Sequence, residues 1–160
     1  LKVCRDLLHE KIPIIDMLTI IEAVADIAEF TKAPEVLLEH VRAKLYRLIT
    51  QKFKDTDGVL HIITIKPELE HQFIGKIQAH HGVSQLMLST AEINNLVTKT
   101  KKLLDSIEVK GFSKITMVVD PILRKRISEI YEKFGLQVSV LSHAELDSKA
   151  NFAIEGTLEF

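Results

Sequence analysis

Seven histidines, one cysteine and a few lysine- and serine-bearing turns are the places where this 160-residue sequence could do chemistry. The adjacent pair His80 and His81 invites a metal reading. Side chains of sequence neighbours diverge, however, and no histidine pair has the i, i+4 spacing with which one helix face presents two imidazoles to zinc. The pair therefore reads as part of a solvated loop, "HHGVSQ", and the expected metal set is none. "FIGKI" offers Gly75 and Lys76 but lacks the upstream glycine and following Ser or Thr of a phosphate-cradling loop. "KGFSK" has a serine near one glycine only, so it is no nucleophile elbow. Glu68 and Glu70 fall on different sides of a helix and define no acid/base pair. Cys4 reads as a small apolar residue. Lys66, Asp120 and Ser142 would stand at the carboxyl ends of strands, where open α/β sheets bind ligands. They do not supply a base, nucleophile and oxyanion set. No catalytic residue and no cofactor site is expected.

Two basic clusters remain, "KTKK" at 99–102 and "RKR" at 124–126. Both fall on polar helix faces near Asp105, Glu108 and Glu129, and read as solvated surface with a lesser chance of a partner site. Aromatic residues are not interleaved with them, which weighs against nucleic acid. The formal net charge of −1 gives no bulk field toward nucleic acid or anionic lipid. An apolar fraction of 46% with 27% charged residues is that of a globular domain. A single cysteine excludes an intrachain disulfide framework.

The elements that must position these residues change type along the chain. Residues 1–11 look like a helix cut at its start, because the chain opens on Leu1 in mid-pattern; it reads as a fragment of something longer. The stretch "IPIIDMLTIIEAVADIAEFTKAPEVL" is apolar enough to raise the question of core, groove or membrane. Asp16, Glu22, Asp26 and Glu29 interrupt it at intervals costly in hydrocarbon, so it is not a span. Asp16 is placed to cap a helix whose face carries Met17, Ile20, Ile21, Val24 and Ile27. Pro34 suits the first turn of the next helix, with Leu37, Val41, Leu45 and Leu48 inward. Residues 1–53 thus read as three helices.

"DTDG" at 55–58 is a break, after which the period shifts. Strands are expected at 59–65, 115–119, 138–141 and 152–160. Helices are expected from Pro67 through Ile77, from Ser89 with a Ser89/Glu92 capping box, and from Asp120–Pro121 to Gly135. The fold class is α+β: a helical subdomain (1–54) followed by a small α/β subdomain (55–160) with a roughly four-stranded mixed sheet.

Residues 7–50, "LLHEKIPIIDMLTIIEAVADIAEFTKAPEVLLEHVRAKLYRLIT", resemble a segment of the FlhA/LcrD family. The matching positions include Pro13, Ile14, Asp16, Thr19, Ile20, Glu22, Lys32, Pro34, Leu37, Glu39, Val41, Arg42, Leu45, Arg47 and Ile49. Ile15 departs from the arginine common there. "LHIITIKPELE", "ITMVVDPILRKRI" and "VSVLSHAEL" continue the resemblance, which covers nearly the whole chain. It implies a non-enzymatic component of the bacterial flagellar type III protein export apparatus, located at the inner membrane with this part on the cytoplasmic side. It further implies a cytosolic ring of nine copies that docks export chaperone–cargo complexes, substrates and switching factors, with 1–54 and 55–160 as the third and fourth cytosolic subdomains. The membrane half and the best-known chaperone pocket of the family would lie upstream of Leu1. A virulence type III secretion paralogue and a small α/β enzyme are the alternatives. On this reading the apolar run of residues 12–37 is mainly internal packing, and partner contacts come from exposed faces of the α/β part, including the helix of Arg124 to Arg126.

Overall fold

The computed structural model describes residues 1–80 and 83–160. His81 and the side chain of His80 lie outside the described residues, and with them the reading of that histidine pair.

The first 53 residues form four helices where three were expected: α1 (Lys2–His9), α2 (Met17–Ile27), α3 (Pro34–Lys44) and α4 (Tyr46–Phe53). The extra break is at Leu45, whose backbone (φ −87°, ψ 18°) leaves the helical region while its N–H still bonds the carbonyls of Val41 and Arg42. Its side chain is buried, so packing bends the chain there although no helix-breaking residue marks the spot. Asp16 caps α2 as expected, accepting from the Thr19 N–H at 3.2 Å and the Thr19 hydroxyl at 2.7 Å. Pro34 is the first residue of α3.

The "DTDG" turn closes with the Gly58 N–H donating to the Asp55 carbonyl and Gly58 at φ +78°. The later elements are β1 (Leu60–Ile65), α5 (Pro67–Ile74), β2 (Ile77–His80), β3 (Val83–Leu86), α6 (Thr90–Glu108), β4 (Thr116–Val119), α7 (Pro121–Lys133), β5 (Ser139–Ser142) and β6 (Phe152–Leu158). The expected capping box of α6 is present at Ser89 and Glu92, and Asp120 caps α7. One region differs. Helix α5 stops at Ile74, and Ile77 begins an antiparallel pair, β2 with β3, where a longer helix and then a loop were expected.

The chain is α+β, with a four-stranded sheet in the order β5-β4-β1-β6 and the separate β2–β3 pair. All three pairings within the larger sheet are parallel, and the antiparallel pairing is confined to β2–β3. The β1–β6 register slips between Ile62 and Ile63, leaving Glu155 as the extra residue of a bulge. Because β5 and β6 are parallel and lie on opposite edges, the chain between them must cross the sheet. It does so through a 3-10 turn (His143–Glu145) that packs on α3 and α4. Thr50 of α4 fixes this crossing, its hydroxyl donating to the Glu145 carbonyl at 2.9 Å and accepting from the Asp147 N–H at 3.0 Å.

Both faces of the sheet are covered. Leu60, Ile62, Val118 and Leu141 on one face join the core of α1–α4, which includes Leu7, Leu38, Val41 and Ile49. Ile65, Met117, Val119 and Val140 on the other face pack with Leu69 and Phe73 of α5, Leu96 of α6 and Leu123, Ile127 and Tyr131 of α7. The result is three layers, helices on sheet on helices.

Candidate functional site

Charge is buried where the N-terminal helices meet the α/β part. Arg42 of α3 and Arg124 of α7 are each at most 1% exposed, and Glu145 of the crossing turn is 0% exposed. Arg42 makes a two-pronged pair with Glu145, Nε to Oε1 at 2.6 Å and Nη2 to Oε2 at 2.8 Å. Arg124 binds Glu39 of α3 through Nε at 2.8 Å and Nη2 at 2.7 Å, and reaches Glu10 at the end of α1 through Nη1. The planar guanidinium suits this two-pronged geometry and an ammonium would not. Arg126, two positions on in α7, binds Glu35 of α3 and lies 3.4 Å from Glu129.

Three carboxylates (Glu10, Glu39, Glu145) thus face two guanidiniums (Arg42, Arg124). Burial works against the Arg124 charge, but Glu39 and Glu10 outweigh it and hold the guanidinium proton more firmly than usual. For Glu39 burial is the stronger influence and raises its pKa despite Arg124, with Glu145 adding repulsion. That is the expected asymmetry when anions outnumber cations. The network joins α1, α3, α7 and the crossing turn, and it fixes how the layers meet.

This corrects the reading of "RKR" as an exposed basic cluster: Arg124 is buried and Arg126 is paired, which leaves Lys125, half-buried beside a groove between α3 and α7. The sequence carried a partial signal, because Arg42 and Arg124 are charged residues at inward-facing helix positions. In "KTKK", Thr100 is likewise buried, its hydroxyl 2.8 Å from that of Tyr131, and Lys99 donates to the Glu159 carbonyl at 3.1 Å.

A second cluster surrounds His61 of β1. Its Nε2 is 2.9 Å from Asp57 and its Nδ1 3.0 Å from Glu155 of the β6 bulge. Asp55, Asp57 and His61 bring potential ligand atoms within 4.8 Å of one another. Each is already committed within the protein. Asp55 accepts from the Ser113 N–H and hydroxyl and from the Thr56 N–H, which hold its carboxyl down to about 2. The histidine uses both ring nitrogens, so the group is closed by hydrogen bonds.

The three strand-end residues do not converge. Lys66 is half exposed and pairs with Glu159 at 3.4 Å. Asp120 spends its side chain on the α7 cap, while its N–H donates to Glu70 at 3.1 Å. Ser142 is buried and caps the crossing turn. Two surface grooves, one between α3 and α7 and one between α1 and α2, are lined by none of the three.

Of those grooves, the larger answers the question raised by residues 12–37. It measures about 400 Å³ and is lined by Val3 and Cys4 of α1, Ile20, Ile21 and Val24 of α2, and Leu37 of α3. Ile20 of α2 is core, as expected, and Ala23, outside the expected face, is core as well, but Met17 and Ile21 of the expected face are exposed. Leu18 is 68% exposed, and Ile15 and Phe30 at the two ends of the helix are more so. The run is therefore half core and half open apolar surface. Periodicity alone placed the stripe; it could not show that α1 and α3 cover only one side of it. No helix among the described residues is long and apolar enough to cross a membrane.

Comparison with known proteins follows the same outline. Flagellar biosynthesis protein FlhA of Helicobacter pylori is 39% identical over 157 residues, covering 98% of this chain and 21% of that protein. Nonameric EPEC SctV-C superposes with a TM-score of 0.86 at 20% identity, over 98% of this chain and 46% of that one. The Chlamydia pneumoniae CdsV and CdsO protein complex gives 0.81 at 23% identity, over 98% and 46%. At such identities the structures share the fold. The chain spans about a fifth of the length of its curated relative and under half of the solved chains. The FHIPEP family model matches residues 1–151, and the chain belongs to that family.

Proposed function

We propose that this chain is the C-terminal pair of cytosolic subdomains, 1–54 and 55–160, of a flagellar type III export gate protein anchored in the bacterial inner membrane. It acts as a docking platform for export chaperone–cargo complexes and other export apparatus proteins, within a ring of nine copies, and performs no catalysis. The observation that carries the reading is the likeness to FlhA along 98% of the chain, at an identity higher than that to the solved secretion proteins. That difference favours the flagellar over the virulence system. The name of one structural neighbour supports a nonameric ring, and that of another supports a bound partner protein.

Ring assembly gives the open apolar face of α2 an occupant. Leu18 and Ile21, three residues apart, are neighbours on the helix surface. Exposed apolar side chains grouped in this way mark protein contact sites. We assign this face to contact with a neighbouring copy of the chain in the ring.

The test is replacement. A Helicobacter pylori strain whose FlhA carries this chain in place of the matching 157 residues is expected to assemble flagella and swim. A stably produced chimera that exports nothing overturns the reading. A Leu18→Asp chimera is expected to accumulate normally and lose motility.

A further inference from the structure

His61 is a buried side chain, 4% exposed, at the start of β1. A neutral imidazole carries one N–H, and an ionised carboxylate can only accept. Here both ring nitrogens stand at hydrogen-bond distance from carboxylates, 2.9 Å to Asp57 and 3.0 Å to Glu155. Both contacts are satisfied together only by an imidazolium. The ring of Phe112 stacks on the imidazole at a centroid separation of 3.8 Å, while the Asp57 side chain stays about half exposed.

These partners come from three separate segments. Asp57 belongs to the turn that precedes β1. Glu155 is the bulged residue of β6, where the ladder to β1 is interrupted. Phe112 lies between α6 and β4, and its neighbour Ser113 binds Asp55 of the same turn through N–H and hydroxyl. The remaining charged group at the cluster is Lys110, 3.2 Å from Glu155. Strand β6 is at the edge of the sheet and pairs with β1 alone. Its attachment at the bulge therefore leans on side chains rather than on the regular ladder.

We propose that His61 is a proton-operated clasp on the β6 edge: charged, it ties the 55–58 turn and the β6 bulge together, and neutral, it drops one carboxylate and lets that edge open. Burial opposes the charged ring, but the hydrogen bonds to Asp57 and Glu155 outweigh it and raise the His61 pKa. Glu155 is held below the usual carboxylate range, foremost by the His61 hydrogen bond. Asp57 is lowered by the Val59 N–H and then by His61. A histidine whose folded pKa exceeds its unfolded value (about 6.5) stabilises fully below that value, and the stabilisation is lost as pH rises through the folded pKa. The carboxylates fail on the acid side, as pH falls through their lowered values. The clasp is whole between those limits.

Proton NMR of the chain follows the His61 ring directly, and amide exchange follows the edge. The ring is expected to titrate above about 6.5. Exchange at the amides of residues 152–158, corrected for base catalysis, should accelerate as His61 loses its proton, by about tenfold for each unit its pKa is raised. In His61→Gln the corrected profile should be flat across that range. In Glu155→Gln the His61 midpoint should move down. The clasp is overturned if His61 titrates at or below about 6.5, or if wild type and His61→Gln give the same profile. Should His61→Gln not fold, Glu155→Gln decides alone, and an unmoved His61 midpoint there overturns the proposal.

Discussion

The seam between the layers and the outer face of α2 invert the usual distribution of residue types. At the seam, Arg42, Arg124 and Glu145 are out of water entirely. On α2, Leu18 and Ile21 are in it. Burying a charge is costly unless every prong is met, and exposing a leucine is tolerated but unproductive. The difference teaches that the two regions answer to different demands. A two-pronged guanidinium pair is met only at one distance and angle, so it fixes how α3, α7 and the crossing turn sit together. Apolar surface is indifferent to orientation and fits whatever shape covers it. The seam specifies geometry within the chain; the α2 face is available to something outside it.

The largest expected effect breaks the seam. Arg124→Ala leaves Glu145 buried, with Glu39 and Glu10 largely so, around Arg42 alone, and uncompensated buried charge of this kind costs about 3–5 kcal/mol. Urea denaturation of the chain measures it. A loss below about 1 kcal/mol would mean that water reaches the seam and that its charges are no constraint on geometry.

Next comes the cap that starts α2. Asp16→Ala removes the acceptor for both Thr19 donors and should lower Tm by about 2–4 °C, while Asp16→Asn or Asp16→Ser, which also cap, should recover most of it. The Thr19 hydroxyl and then its N–H hold the Asp16 carboxyl below its usual range. With the folded pKa depressed, the cap contributes above the unfolded value and is lost as pH falls through the folded one. The Tm difference between wild type and Asp16→Ala should therefore shrink toward acid pH.

Much of this was legible in the sequence, and the limits have physical causes. Asp16, Ser89–Glu92, Asp120–Pro121 and Pro34 announce helix starts because capping is local chemistry within three or four residues. The break at Leu45 is not local, since "RAKLYRLIT" is good helix sequence and burial of Leu45 decides the bend. Ile77 fits the spacing of Leu69 and Phe73, and only pairing with Leu86 reveals it as strand. The seam stayed hidden because its members are up to 114 residues apart and charged, and charged residues are mostly found outside. His61 lies inside the strand expected at 59–65, and nothing local marks it as paired, because Glu155 is 94 residues away.

A smaller effect separates the members of the seam. Glu39 is the anion in excess, with burial raising its pKa. Because the folded chain holds that proton more tightly than the unfolded one, the group adds stability as pH falls through its raised pKa. Glu39→Gln should shift stability at neutral pH by less than about 1 kcal/mol, well short of Arg124→Ala, and should abolish this increment on mild acidification. If Glu39→Gln costs as much as Arg124→Ala, the seam holds no surplus charge and the two residues act as a simple pair.

The smallest expected effect is on the other side of the comparison. Leu18 is the second residue of α2, so an aspartate there faces the positive end of the helix and is locally favourable. At a buried leucine, truncation alone removes about 2–5 kcal/mol. At Leu18, 68% exposed, Leu18→Asp should leave the stability of the chain within about 0.5 kcal/mol of wild type. Denaturation checks this against Ile20, two positions on and buried, where Ile20→Ala should show the core value. If Leu18→Asp destabilises as Ile20→Ala does, the apolar face of α2 is packing after all. The contrast with the seam then collapses. If it does not, the loss of motility expected of the Leu18→Asp chimera traces to an absent contact between neighbouring copies, because the fold itself is unharmed.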